Sequence, residues 1–399
     1  MERTLRIPCT FMRGGTSRGL VFRREDLPAD EAGWDLLFLA AIGSPDVRQL
    51  DGVGAGDSHT SKIAVVNPSE EAGADLDYHF GEVAITEPRV DYAGNSGNII
   101  AALGLYAVEE GIVPAQAPET LVRVRNLNTN KLTELFVPVV DGRPAEDGDF
   151  SIDGVPGFGP RIDMRFPRPE GSLTGRLLPT GEPRTRLEVP GVGPLEVTLL
   201  DAANPVVLVP GEALGVRPDM PLQRLNGDAA LLERLQAVRA AASVAMGLVE
   251  RAEDAWSYSN MVPFLVLLFP PSSYPRFDDP EVRVEAAATD LCARVISLGR
   301  VHKSINVTVS VAVTAAALTP GTLAHELSGG RAESGDLRIG HPSGMVHTRG
   351  QAEPPAAGSN EPTIAWVRMG RTARRILDGT VLIQPYKLRW LRQLTGRGE

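Results

Sequence analysis

A chain of 399 residues, 43% of them hydrophobic and 23% charged, is long enough to bury a large core and to divide into two lobes rather than one. Its formal charge of −10, without any basic run, argues against nucleic acid as a partner, and its most apolar stretch, residues 261–271, is about half of what a membrane span needs. Cys9 and Cys292, the only two cysteines, give neither a disulfide framework nor a metal-ligand cluster, and residues 1–15 lack the apolar run of a secretory signal; the expected setting is the cytoplasm.

Residues 5–11 read as a strand, followed by the glycine-rich turn Arg13-Gly14-Gly15-Thr16-Ser17-Arg18-Gly19 and a second strand over 20–22, in the simplest form a hairpin. A helix is predicted over 31–42, then a glycine-rich loop over 51–62 that feeds a β-branched strand at 63–66. Gly94-Asn95-Ser96-Gly97-Asn98 opens a helix over 99–110 whose apolar residues cover most of its surface, as in a helix enclosed by sheet, and Gly111 follows as its cap. Residues 122–140 read as two strands joined near Asn128-Thr129-Asn130, and 141–180, rich in Gly and Pro, as loop and edge strand.

Strand patterns return over 187–209, and an amphipathic helix is predicted over 228–245, a strand over 264–269, a helix around Cys292 and a buried helix over 305–318. The order helix, strand, turn, buried helix therefore occurs twice. Two similar α/β lobes follow, residues 1–185 and 186–399, each a curved sheet wrapped around one central helix, with a cleft between them and the last strand or helix free to pack back on the first lobe.

Three glycine turns, 13–19, 52–62 and 94–98, expose backbone N–H groups, and the third opens a helix, where partial positive charge favours a carboxylate or a developing enolate. Taken singly, each is more simply a tight turn. None carries a Walker or dinucleotide fingerprint, so nucleotide cofactors are not expected. Asp57-Ser58-His59-Thr60-Ser61-Lys62 sets polar groups and one ammonium before a buried strand; a lysine desolvated there is a usable base, whereas a solvated one is only a loop residue. His302-Lys303-Ser304 takes the place in the second lobe that Asn95-Ser96-Gly97 has in the first, so that both helix starts face one cleft. Gly340-His341-Pro342-Ser343-Gly344 is a further turn, more simply a hairpin.

Taken together these segments resemble the PrpF family of isomerases, which act on unsaturated acids such as methylaconitate, aconitate and oxalomesaconate. The matches run along nearly the whole chain, from residues 11–19, 58–62 and 94–98 through 152–157, 171–181 and 340–344 to 371–377. The resemblance implies the diaminopimelate epimerase-like fold and a small polycarboxylate substrate. It implies no cofactor and no metal. It places a catalytic lysine at Lys62 and puts Ser96 where relatives have a cysteine. A serine without an adjacent base is a poor proton carrier, so Ser96 is expected to donate a hydrogen bond to substrate. Phe264 stands where the second lobe often has a lysine.

The expected site thus has Lys62 and Ser96 as catalytic residues. Substrate binding is expected from Arg13, Gly15, Thr16, Ser17, Arg18, Ser58, His59, Thr60, Asn95, Gly97, Asn98, His302, Lys303, Ser304 and Ser343. The expected reaction is a cofactor-independent shift of an allylic proton by a lysine base, with an epimerase or a non-catalytic acid-binding protein as the alternatives. Neither nucleic acid nor membrane is an expected partner, and the reading leaves room for a homodimer.

Overall fold

A computed structural model describes residues 3–331, 335–355 and 361–396, so the outermost ends of the two predicted lobes lie outside the described residues. The first half forms strands β1 (Leu5–Gly14) and β2 (Ser17–Arg23), helix α1 (Trp34–Ile42), β3 (Lys62–Pro68), β4 (Leu76–Val83), α2 (Gly97–Glu109), β5 (Glu119–Asn126), β6 (Lys131–Val140) and β7 (Ile162–Pro167). The second half repeats the order as β8 (Gly193–Ala202), β9 (Asn204–Pro210), α3 (Ala229–Ala245), β10 (Phe264–Phe269), β11 (Leu291–Ser297), α4 (Val307–Ala317), β12 (Asp336–His341), β13 (Gly344–Glu353) and β14 (Thr363–Arg371). Two elements close the chain, β15 (Ala373–Ile383) and α5 (Pro385–Thr395).

The pairing repeats with the order. β1 and β2 run antiparallel, β2 and β3 parallel, and β3 and β4 antiparallel; β8 with β9, β9 with β10 and β10 with β11 reproduce the three in the same senses. The halves join where β7 pairs with β14, and β15 returns to pair with β1. Helix α5 packs beside α1 and buries Leu391 there.

Side-chain alternation explains the layering, because successive strand residues face opposite sides. On β3, Ala64 and Val66 face the core that holds α2, while Ile63 and Val65 face the one that holds α1. On β10, Val266 and Leu268 join the α4 side of that same inner core, and Leu265, Leu267 and Phe269 face α3. Both central helices are apolar nearly all round, and every residue of α4 is buried. They meet at their N-termini, where a Cβ on Gly97 would lie 2.3 Å from Val307 Cγ1.

Two expectations are corrected. Cys292 lies in the fully buried strand β11, not in a helix: a seven-residue run that is apolar but for Arg294 and Ser297 carries no period that tells strand from helix, and pairing with β10 decides it. The second central helix starts at Val307 with Asn306 as its N-cap, two residues after the expected start at 305, while His302, Lys303 and Ser304 form the turn before it, as expected.

Candidate active site

The cleft between the lobes is built by the β1–β2 turn and the loop before β3 on one side, and by the loop before α4 on the other. Gly15 sits at a positive φ of 50° in the turn, and any Cβ there would lie 2.0 Å from Asn98 Oδ1, so only glycine lets the turn approach α2 this closely. Asn98 Nδ2 donates to Thr16 Oγ1 at 3.0 Å and to Ser17 Oγ at 3.3 Å, which fixes both hydroxyls. Across the cleft, the Thr16 and Ser304 hydroxyls share a hydrogen bond of 3.2 Å.

Ser304 also lies 3.1 Å from His59 Nε2, and His59 Nδ1 lies 2.6 Å from Asp57 Oδ1. Burial alone would raise the Asp57 carboxyl, but hydrogen bonds and charge from His59 and Lys303 outweigh it and hold it well below the usual carboxylate range. An ionised Asp57 accepts from His59 Nδ1–H, which turns Nε2 to the Ser304 hydroxyl. Lys303 Nζ closes the group, 2.6 Å from Asp57 Oδ2, and its backbone carbonyl accepts from Ser343 Oγ at 2.7 Å. His302 is buried and stacks on His59 at 3.9 Å; burial, then the charges of His59 and Lys62, push its pKa well below the ordinary value, and its Nδ1–H donates to Ser304 O at 2.8 Å. A cavity of about 460 Å³ is lined by Thr16, Asp57, His59, Thr60, Lys303, Ser304 and Ser343. An adjoining one of about 270 Å³ shares Thr16 and Ser304 with it. Ser58 lines a third, of about 370 Å³, with His302.

Lys62 stands at the start of β3, in register with Gly19 on β2 and Glu82 on β4, and alternation puts it on the α2 side. Its ammonium is buried over the Phe80 ring and paired with Glu82. Burial raises the Glu82 carboxyl to about 7, against the pull of the ammonium. At the end of α2, Ser96 is the N-cap and is nine-tenths buried, its backbone N–H donating to Tyr78 Oη at 3.4 Å. Asn95 is tied to the second lobe, its N–H donating to Asn204 Oδ1 at 3.0 Å and its carbonyl accepting from Asn204 Nδ2 at 2.9 Å. Lys62, Ser96 and Asn95 line none of the three cavities.

The two arginines expected to meet substrate face elsewhere. Arg13 and Arg18 are cross-strand partners two residues along from Phe11 and Leu20, which puts them on the α1 side of the sheet. Arg13 clamps the turn through Gly15 O at 3.0 Å and Thr372 O at 3.1 Å, and Arg18 lies over the Phe11 ring at 5.4 Å. Sequence reasoning passed over Asp57, Glu82 and Arg371. Asp57 was signalled by Asp-x-His, whose Asx turn brings the carboxylate to the ring two residues on, N–H to Oδ1 being 2.9 Å. Among the described residues no group of three or more His, Cys, Asp or Glu is placed to hold a metal ion, and no helix is long and apolar enough to cross a membrane.

The family profile described as PrpF protein matches residues 4–384. The chain belongs to the PrpF family. It is 38% identical to "4-oxalomesaconate tautomerase" of Pseudomonas putida over 95% of this chain and 96% of the relative. The crystal structure of a methylitaconate-delta-isomerase superposes with a TM-score of 0.77 at 35% identity, covering 97% of this chain and 98% of that one. A hydroxyproline epimerase from Agrobacterium vitis shares the fold alone, with a TM-score of 0.57 at 13% identity over 96% and 94% of the two chains. The fold is thus the epimerase-like α/β fold, and this PrpF protein is an isomerase of small acids.

Proposed function

We propose that this PrpF protein shifts an allylic proton on a small unsaturated di- or tricarboxylate, with Lys62 as base and without a cofactor. The observation that carries the reading is the pairing of Lys62 with a carboxyl that burial raises to about 7: near neutral pH Glu82 can hold the proton that Lys62 must shed to act as a base. The electron pair of the broken C–H bond then spreads into the conjugated carboxylates as a dienolate, and the backbone N–H groups at the start of α2, with the Thr16 and Ser304 hydroxyls, are the donors at hand for it. Return of the proton to the same carbon after rotation gives cis–trans isomerisation.

Delivery at the far end of the dienolate gives a double-bond shift or tautomerisation, and the chain Asp57–His59–Ser304 supports that step. With His59 as the imidazolium, Ser304 passes its proton to carbon while the ring replaces it. Oxalomesaconate and methylitaconate, the acids in the relatives' names, are the first substrates to test. The experiment is proton exchange in deuterated water with a panel of unsaturated di- and tricarboxylates, followed by NMR. Lys62→Ala should lower deuterium uptake and turnover by several orders of magnitude with the fold retained. Near-normal exchange in that variant removes Lys62 from the mechanism.

A further inference from the structure

The cavity of about 270 Å³ next to Thr16 and Ser304 is lined by Asp153 and by a cation, Arg371, that no carboxylate pairs with among the described residues. Arg371 closes β14 only 5% exposed; one of its terminal nitrogens donates to the carbonyl of Gly370 at 2.9 Å, its Nε has no partner, and among the described residues no carboxylate pairs with it. The neighbouring charges are engaged elsewhere. Arg161 is held by Asp163 at 2.7 Å, and Asp153 accepts from Met345 N–H at 2.6 Å and from Arg276 at 3.5 Å. His341 faces the same cavity, 3% exposed, with its Nδ1 also without a partner.

We propose that this cavity is a carboxylate subsite in which Arg371, assisted by a neutral His341, receives a second or third carboxylate of the substrate while the reacting carbon lies toward Thr16 and Ser304. Leaving a guanidinium buried and unpaired is costly, and chains retain such a group where a ligand supplies the counter-charge. Burial alone, with no offsetting charge, draws Arg371 down to about 10. His341 is pushed to about 3 by burial and then by the charges of Arg371, Arg294 and Arg276, so it adds a hydrogen bond to the subsite and not a charge. A planar guanidinium matches a carboxylate in a two-point contact that a lysine cannot make. The subsite also supplies the cationic group that Arg13 and Arg18, turned to the far side of the sheet, do not.

The inference rests on the polycarboxylate reading above, and its test does not depend on turnover. Propane-1,2,3-tricarboxylate and butyrate, neither of which carries the unsaturation the reaction needs, are titrated into the wild-type chain, R371Q and R371K by calorimetry. The tricarboxylate should bind the wild type and lose at least about thirtyfold in affinity to R371Q, as truncating one partner of a buried charge pair does, with R371K between them and butyrate indifferent to the change. Without ligand, R371Q should melt no lower than the wild type, because it removes an uncompensated buried charge; an arginine serving the fold would give a lower melting temperature or an unfolded variant. R371Q binding within threefold of the wild type, a wild type that does not favour the tricarboxylate over butyrate, or an R371Q that fails to fold would each overturn the subsite. Arg371-dependent binding in a chain that exchanges no proton would keep the subsite and sink the isomerisation chemistry, and Lys62-dependent exchange with unchanged binding in R371Q would do the reverse.

Discussion

Replacing Lys62 by methionine should produce a stability loss that grows with pH. In the wild type, burial holds the Glu82 carboxyl near 7 against 4.5 for a free glutamate. The folded chain therefore binds this proton more tightly than the unfolded one. The stability it contributes is fully present below pH 4.5 and is lost as pH rises through 7; at about 1.36 kcal/mol per tenfold change it amounts to about 3 kcal/mol. The ammonium of Lys62 is what keeps the carboxyl from rising further. Without it, the loss continues above pH 7 at about 1.4 kcal/mol per pH unit, so the gap between wild type and variant should widen by about 2 kcal/mol between pH 7 and pH 8.5. With an unfolding entropy of about 2.1 cal/mol/K per residue, a chain of 399 residues turns that into a further drop of about 2 °C in melting temperature. Thermal melts from pH 5.5 to 8.5 measure it, and Lys62→Met/Glu82→Gln should abolish the widening. A gap that stays constant with pH, or widens toward acid, would show that Glu82 is ionised throughout and cannot take the proton of Lys62.

Gly97→Ala sets a methyl 2.3 Å from Val307 Cγ1 and should cost about 1–3 kcal/mol, read as a lower melting temperature that Val307→Ala restores in the double variant. Cys292 is buried and Cys9 half-buried, and burial raises both thiols, so iodoacetamide should react slowly and leave activity intact; rapid inactivation traced to either would misplace the site. Ser96→Cys introduces at the N-cap of α2 the cysteine that the family resemblance implies for this position. It should stay active to within about tenfold, as the loss of one neutral hydrogen bond allows, and become sensitive to iodoacetamide. Equal resistance in both proteins would show that the helix start neither exposes nor activates that position.

Features written in local pattern were legible in the sequence. A helix apolar all round must be enclosed, and that alone located both central helices; a β-branched run behind a polar loop located β3 and put Lys62 at its start. The direction of Arg13 and Arg18 was not legible, because in sequence they belong to the glycine turn, whereas the strands run on to Gly14 and from Ser17 and period two then places both with Phe11 and Leu20. What local pattern cannot carry is which side chain meets which across hundreds of residues. Thr16 and Ser304 are 288 positions apart and His59 and Ser304 are 245, so the chain from Asp57 through His59 to Ser304 exists only once the lobes are joined. Arg371 was in view as part of a motif, yet its significance is the absence of a carboxylate partner among the described residues, a property of its surroundings and not of its neighbours in sequence.

Joining two similar lobes gives two similar helix starts, and the chemistry is found in how the copies differ. The register that sets Lys62 beside Glu82 on the inner face of β3 and β4 sets Phe264 beside Ser297 on β10 and β11, since Leu265 pairs with Ile296 one residue before. One lobe thus holds an ion pair with an acid near neutrality where the other holds a ring and a hydroxyl. A site that inverted a stereocentre would need matched acid and base groups on both faces of its substrate. Here the proposed base, Lys62, belongs to the first lobe, and the second lobe offers the Ser304 hydroxyl, which is hydrogen-bonded to His59 of the first lobe. Such an arrangement suits a reaction in which one proton leaves, charge spreads along a conjugated acid, and the place of its return decides the product.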